Sequence, residues 1–297
     1  MRLYTVRLPE GEERVMAELD TGAWYDVTER FPSMLHVIQE GADVIDAIRA
    51  LTKTLEPVEV DDTLTILAPI PRPQRDVYCV GWNYLKHFNE GVGKRGKQET
   101  ELPEYPTFFS KATRSVIGPH AEVPYDHAFT EKLDYEAEIA VIIGREGKNI
   151  TESDAIDYVF GYTLANDVSA RDVQRRHGGQ WLKGKAMDGS CPLGPAIVTR
   201  DEVPRIEDLN IRGFVNGEVR QEARLSQLIF SIPRLIAELS RGMTLIPGDV
   251  LLTGTPDGVG FAMTPPQFLR PGDRLIVASD LLGRLENTVG LDAHETR

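Results

Sequence analysis

Acidic residues occupy every second position through Asp134-Tyr135-Glu136-Ala137-Glu138, and the chain then runs apolar through Ile139-Ala140-Val141-Ile142-Ile143 to Gly144. Alternate side chains of an extended strand share a face. A strand here therefore predicts Asp134, Glu136 and Glu138 on one side, with Tyr135, Ala137 and Ile139 on the other. The β-branched run that follows reads as buried on both faces, which argues against a solvated edge strand. Like charges held this close either raise the pKa of one of them or call in a cation. An all-oxygen donor set favours a hard divalent ion such as Mg2+.

A chain of 297 residues can bury a large core and form one sizeable domain with a small one beside it. No apolar run approaches membrane-spanning length, and Met1-Arg2-Leu3-Tyr4-Thr5-Val6-Arg7 alternates like a strand instead of a signal peptide. The expectation is a cytoplasmic protein with no membrane partner. A net charge of −13 argues against nucleic acid, and a small anionic substrate requires local Lys and Arg, or a metal, to reverse the field. Cys79 and Cys191 lie far apart without a partner motif, so neither a disulfide framework nor a zinc site is indicated.

Residues 1–70 read as a small α+β N-terminal domain around an amphipathic helix carrying Val44, Ile45, Ile48 and Leu51. Pro69, Pro71 and Pro73 suit a connector, and residues 71–297 form the main domain. That domain opens with a strand at 77–80, a helical segment at 83–90 and a polar, Gly-containing loop at 91–106, placed to cover something. Thr151-Glu152-Ser153-Asp154 predicts the start of a helix running to Phe160, and a strand over 161–165 delivers Asn166-Asp167. Ser169 is expected to cap a helical turn through Gln174, Asn216-Gly217 to turn a hairpin, and Pro233 to kink a helix over 226–240. Pro-Gly-Asp at 247–249 and 271–273 introduces strands. Strands and helices do not alternate regularly, so the fold class is a β-rich α+β and not a doubly wound sheet.

His87 and Glu90 share a face of a helical turn, where a carboxylate fixes the imidazole tautomer and raises its basicity for proton abstraction. Lys111, Arg171, Lys183 and Lys185 are candidates to bind an anion, and Asp167 can complete an oxygen set with Glu136 and Glu138. Gly91-Val92-Gly93-Lys94-Arg95-Gly96 matches a dinucleotide pattern literally but follows no strand and is set aside. Gly254-Thr255-Pro256-Asp257-Gly258-Val259-Gly260 lacks the ending of a phosphate loop and reads as a tight turn whose amides face a carboxylate.

Seven segments in order carry a resemblance. They are Val80 to Glu90, Phe108-Phe109-Ser110-Lys111, Tyr135-Glu136-Ala137-Glu138, Asn166 to Gln174, Lys183-Gly184-Lys185, Val215-Asn216-Gly217-Glu218 and Leu252 to Gly260. Over residues 76–285 the chain resembles the fumarylacetoacetate hydrolase family. The resemblance implies a mixed β-roll or β-sandwich catalytic domain, a homodimer, and Mg2+ or Mn2+ held by Glu136, Glu138 and Asp167. It implies a small anionic 2-oxo acid as substrate, positioned by Arg171, Gln174, Tyr84, Gly254 and Thr255, with Lys185 and Lys111 as charge stabilisers. The implied reaction is hydrolysis of a C–C bond in an acylpyruvate by water activated at His87 and Glu90, as in catabolism of aromatic compounds. Decarboxylases, sugar-acid dehydratases and isomerases share the implied metal site and form the alternative, and a structural cation in a non-enzymatic scaffold is the remote one.

Overall fold

The apolar run becomes the strand Ala137–Ile143, buried along its whole length. Its side chains divide by parity. Ala137, Ile139, Val141 and Ile143 enter one core with Ile211, Ala223, Val277 and Leu285, while Ala140 and Ile142 enter another with Met34, Val37, Ile38 and Ile48. Burying such a side chain contributes about 2 kcal/mol, and a run without a polar face is stable only where both sides are covered.

The computed structural model describes residues 1–41, 43–61, 63–94 and 101–292. Among them the main sheet runs in the order Trp24–Asp26, Glu13–Glu18, Arg2–Arg7, Cys191–Thr199, Val159–Asn166, Ala137–Ile143, Val250–Leu252, Val77–Gly81 and Thr107–Lys111. Neighbours are antiparallel except Val250–Leu252 with Val77–Gly81. A second sheet, Glu218–Arg224, Asn210–Val215, Arg274–Ser279, Gly283–Asp292 and Glu122–Tyr125, packs on the first of the two cores. The molecule is thus a β-rich α+β fold with a mixed sheet. Residues 1–70 join it through the pairing of Arg2–Arg7 with Cys191–Thr199, and their helices Met34–Gln39 and Val44–Thr52 cover the second core. No helix among the described residues is long and apolar enough to cross a membrane.

Several local expectations give way to tertiary pairing. The strand through the acidic run is broken: Leu133–Asp134 pairs with Ser169–Ala170, Tyr135 and Glu136 lie outside any strand, and the long strand starts at Ala137. The helix expected over 154–160 shrinks to a 3-10 turn, Ala155–Tyr158, because Val159 pairs with Ile143 and the Gly144 amide takes the Tyr158 carbonyl at 2.7 Å. Ser169 caps nothing; its hydroxyl donates to the Asp167 carbonyl at 2.8 Å, and the helix Arg171–Gln174 starts from Ala170. Pro233 does not kink a helix. The helix is Ile232–Ser240, capped by Ser231, so Pro233 falls in the first turn, where its missing N–H removes no intrahelical bond. The Asn216-Gly217 turn forms as expected, with φ of 52° and 83°. The 91–106 loop and the Gly91–Gly96 pattern fall partly on residues 95–100, outside the described residues; 91–94 and 101–106 carry neither helix nor strand.

Candidate active site

Two neighbouring strands bring three carboxylates together. Glu136 and Glu138 flank the start of Ala137–Ile143, and Asp167 follows the end of Val159–Asn166, whose Asn166 pairs with Ala137. Main-chain bonds fix the corner, Asp167 N–H to the Glu136 carbonyl at 2.9 Å and Glu136 N–H to Asn166 Oδ1 at 3.0 Å. Glu136, Glu138 and Asp167 are buried, and each offers an oxygen within 4.8 Å of the others.

Buried carboxylates need compensation. Lys185 Nζ bridges Glu136 Oε2 and Asp167 Oδ2 at 2.6 Å each, and Arg171 Nη1 meets Glu136 Oε1 at 2.7 Å. Burial raises the pKa of Glu136, but the charges of Lys185 and Arg171 more than offset it and hold that carboxyl below its ordinary range. Glu138 goes the other way. Burial pushes it well up, the charges of Asp167 and Glu136 add to that, and neither Lys185 nor the Gly254 amide, 2.6 Å from Oε2, reverses it. Lys111 Nζ stands 2.8 Å from Asp167 Oδ1 in ion-pair contact but outside hydrogen-bond alignment, and Oδ1 is left buried without a donor. An all-oxygen trio with one buried carboxylate oxygen lacking a donor fits a hard divalent cation, and Glu136, Glu138 and Asp167 are a group able to hold one.

The helix Leu85–Glu90 presents His87 with Nδ1 at 2.7 Å from Glu90 Oε1, while Glu90 Oε2 accepts the Gly258 amide at 2.8 Å. That carboxylate is anchored on both oxygens, so it fixes the ring and its tautomer. The same 254–261 loop supplies the amides of Gly260 and Phe261 to Asp134, at 2.8 and 3.1 Å, and Asp134 Oδ2 in turn holds Arg171 Nε at 2.8 Å. The tight-turn reading of that loop is therefore met by three separate carboxylates. Asp134 is not part of the trio but the anchor of Arg171.

These groups surround a cleft of about 470 Å³, counting the space open at its mouth. Of the residues expected from the sequence, His87, Glu136, Glu138, Arg171, Gln174, Lys185 and Thr255 line it. Asp167 and Glu90 lie behind Lys185 and His87, respectively. Lys111 sits deeper, donating to the carbonyls of Val168 and Lys185, a placement for holding the corner and not for touching a ligand. Tyr84 packs in the core and Gly254 contributes its amide to Glu138, so neither side of that pair faces the cleft.

Sequence reasoning missed three contributors. Gln221 accepts the Ala137 amide at 2.9 Å and donates to Thr255 Oγ1 and the Pro256 carbonyl at 2.7 Å each, tying the second sheet to the site loop; nothing in Val219-Arg220-Gln221-Glu222 signals it. Asn83 bonds Phe230 in both directions and donates to the Thr253 carbonyl. Arg175 lines the cleft, and its spacing of four from Arg171, on a helical turn, was a usable signal.

Comparison with known proteins identifies the family to which this fold belongs. Residues 76–290 match the sequence profile described as fumarylacetoacetate (FAA) hydrolase, C-terminal. The chain is 46% identical over 224 residues, 75% of it and 72% of the relative, to the oxaloacetate tautomerase YisK of Bacillus subtilis. It is 42% identical over 258 residues, 86% of it and 79% of the relative, to the human mitochondrial oxaloacetate tautomerase FAHD2A. Among solved structures, a fumarylacetoacetate hydrolase from Exiguobacterium antarcticum superposes with a TM-score of 0.84 at 36% identity, covering 98% of this chain and 99% of that one. A maleylpyruvate hydrolase from Sphingobium sp. SYK-6, in complex with manganese(II) and pyruvate, gives 0.78 at 27% identity, covering 98% and 100%. The chain belongs to the fumarylacetoacetate hydrolase family.

Proposed function

We propose that this protein is a divalent-metal-dependent tautomerase that interconverts the enol and keto forms of oxaloacetate or a closely similar 2-oxo acid. The observation that carries the reading is a hydrogen-bonded His87–Glu90 pair opening on the same cleft as Glu136, Glu138 and Lys185. The names of the relatives at 46% and 42% identity supply the substrate. Ketonisation moves one proton: the enol O–H gives one up and C3 gains one. With Nδ1 engaged by Glu90, exchange with C3 falls to Nε2 of His87. Lys185 brings a positive charge to the oxygen that becomes anionic between the two forms, and Arg171 with Gln174 orients a carboxylate. Glu136, Glu138 and Asp167 would hold Mg2+ or Mn2+, which would supply Lewis-acid chemistry to the 2-oxo acid.

The second reading is hydrolysis of an acylpyruvate, favoured by the structural likeness to a maleylpyruvate hydrolase that holds manganese and pyruvate. There the same imidazole takes a proton from water, which attacks the distal carbonyl. Products separate the two. Metal-loaded protein is incubated with enol-oxaloacetate, fumarylpyruvate and maleylpyruvate, and followed by enol absorbance and by mass. Loss of the enol at unchanged mass supports the tautomerase. Release of pyruvate with a carboxylic acid from the acylpyruvates, without acceleration of ketonisation, rejects it for the hydrolase, and CO2 from oxaloacetate points to decarboxylation.

A further inference from the structure

Arg175 follows the helix Arg171–Gln174, one turn on from Arg171, and both guanidinium groups lie over Phe261, with Cζ at 4.8 and 4.6 Å from the ring centroid. Their surroundings differ. Arg171 is held by Asp134, Glu136 and Gln174, leaving only Nη2 buried without an acceptor. Arg175, half-buried on the wall of the cleft, donates Nη1 to the Lys94 carbonyl at 3.0 Å and makes no other hydrogen bond among the described residues. Among the described residues it makes no ion pair; the charge of Asp134 acts on it, but that carboxylate is already engaged by Arg171. A guanidinium presents five N–H donors in a planar fork, so most of its hydrogen-bonding capacity is unspent. Burial and then the neighbouring charge of Arg171 weaken its hold on its own proton, and the charge of Asp134 offsets this only in part.

We propose that Arg175 binds the carboxylate of the substrate that is remote from the carboxylate trio, and so selects 2-oxo dicarboxylates over 2-oxo monocarboxylates. This rests on the tautomerase reading for the pose, in which the 2-oxo acid end lies at the trio. The remote carboxylate of a four-carbon dicarboxylate then extends along the wall formed by Phe261 and meets a fork made for bidentate pairing. Phe261 lies within cation–π distance of both arginines, a contact that uses none of their N–H donors. The competing role for Arg175 is to anchor the chain at Lys94, whose ammonium also reaches the Ala262 carbonyl. That role is blind to substrate charge.

The test uses Mn2+-loaded full-length protein and two stable probes, L-malate and its 4-methyl ester, which differ in the charge of the remote carboxylate. Calorimetric binding is compared for wild type, Arg175→Met and Arg175→Lys. We expect wild type to bind malate about ten- to a hundredfold tighter than the ester, the worth of a hydrogen bond to a charged group. In Arg175→Met the ratio falls toward one with ester affinity unchanged, and Arg175→Lys keeps part of it. Equal weakening of both probes in Arg175→Met assigns the residue to loop anchoring and overturns the proposal. So does a wild type that binds neither probe or does not distinguish them. Because binding is read and not turnover, a wild type that prefers malate through Arg175 yet fails to ketonise enol-oxaloacetate sinks the tautomerase reading and leaves this site standing.

Discussion

The Gly258 amide donates to Glu90 Oε2 at 2.8 Å across 168 residues of sequence, on the side of the carboxylate opposite His87. One loop thereby sets the His87–Glu90 pair, the Glu138 carboxylate through Gly254 and the Arg171 anchor through Gly260. Gly258 has φ of +106°, and a Cβ there would stand 1.8 Å from the Arg220 carbonyl oxygen. Gly258→Ala should therefore cost about 2–4 kcal/mol of stability and lower the ketonisation rate together with it. Thermal unfolding and steady-state rates check this, and a variant with wild-type values in both would show that the loop does not clamp Glu90.

Proton transfer and metal holding are assigned to different residues, so they should separate. His87→Ala is expected to lower kcat by about 10²- to 10⁴-fold while Mn2+ affinity stays within a few-fold of wild type. Glu90→Gln should fall between, since the ring keeps a neighbour that can hydrogen-bond. Mn2+ titration beside the kinetics decides it; a parallel loss of metal affinity in His87→Ala rejects the role.

Lys185 neutralises Glu136 and Asp167 at 2.6 Å, the same negative charge a divalent ion would neutralise. Removing one partner of a buried ion cluster costs about 3–5 kcal/mol, and the loss should be smaller when a metal supplies the missing charge. Lys185→Met is thus predicted to gain more in Tm from Mn2+ than wild type does. Equal gains would mean that the ammonium and the metal do not share this duty.

Both cysteines are buried, and burial is the leading cause that pushes the Cys191 thiol up to about 12 and Cys79 well above its ordinary value. The thiolate is the reactive form. Native protein at pH 8 should therefore leave both thiols untouched by a disulfide reagent, while denatured protein titrates two; fast reaction of either in the native state would contradict this burial.

What the chain declares in sequence is what repeats locally. The closeness of Glu136 and Glu138 gives two members of the trio, and the apolar run after them gives the double burial of the strand Ala137–Ile143. The spacing of His87 and Glu90 gives their hydrogen bond, and Asn216-Gly217 gives a hairpin. Contacts made across the fold were not legible. Asp134 continues the alternation yet leaves the strand, because its oxygens are claimed by the amides of Gly260 and Phe261 and by Arg171. Gln221 looks like any polar residue of a hairpin, and its three bonds exist only once the second sheet packs on the first. The cap-like Thr151 to Asp154 lost to the pairing of Val159 with Ile143, a partner sixteen residues upstream. The choice between moving a proton at C3 and cleaving a C–C bond uses the same dyad and the same carboxylates, so the relatives' names, not the motif, turn the reading from hydrolase toward tautomerase.

The central claim is metal-dependent proton transfer by His87, and its most direct test is the rate of enol-oxaloacetate ketonisation followed by enol absorbance. It is measured for wild type with and without Mn2+, for Asp167→Asn and for His87→Ala. The account predicts acceleration over the uncatalysed rate only in metal-loaded wild type, with Asp167→Asn recovering part of it at high Mn2+ and His87→Ala near background at any Mn2+ concentration. Ketonisation no faster than background in metal-loaded wild type, or full activity in His87→Ala, would contradict it.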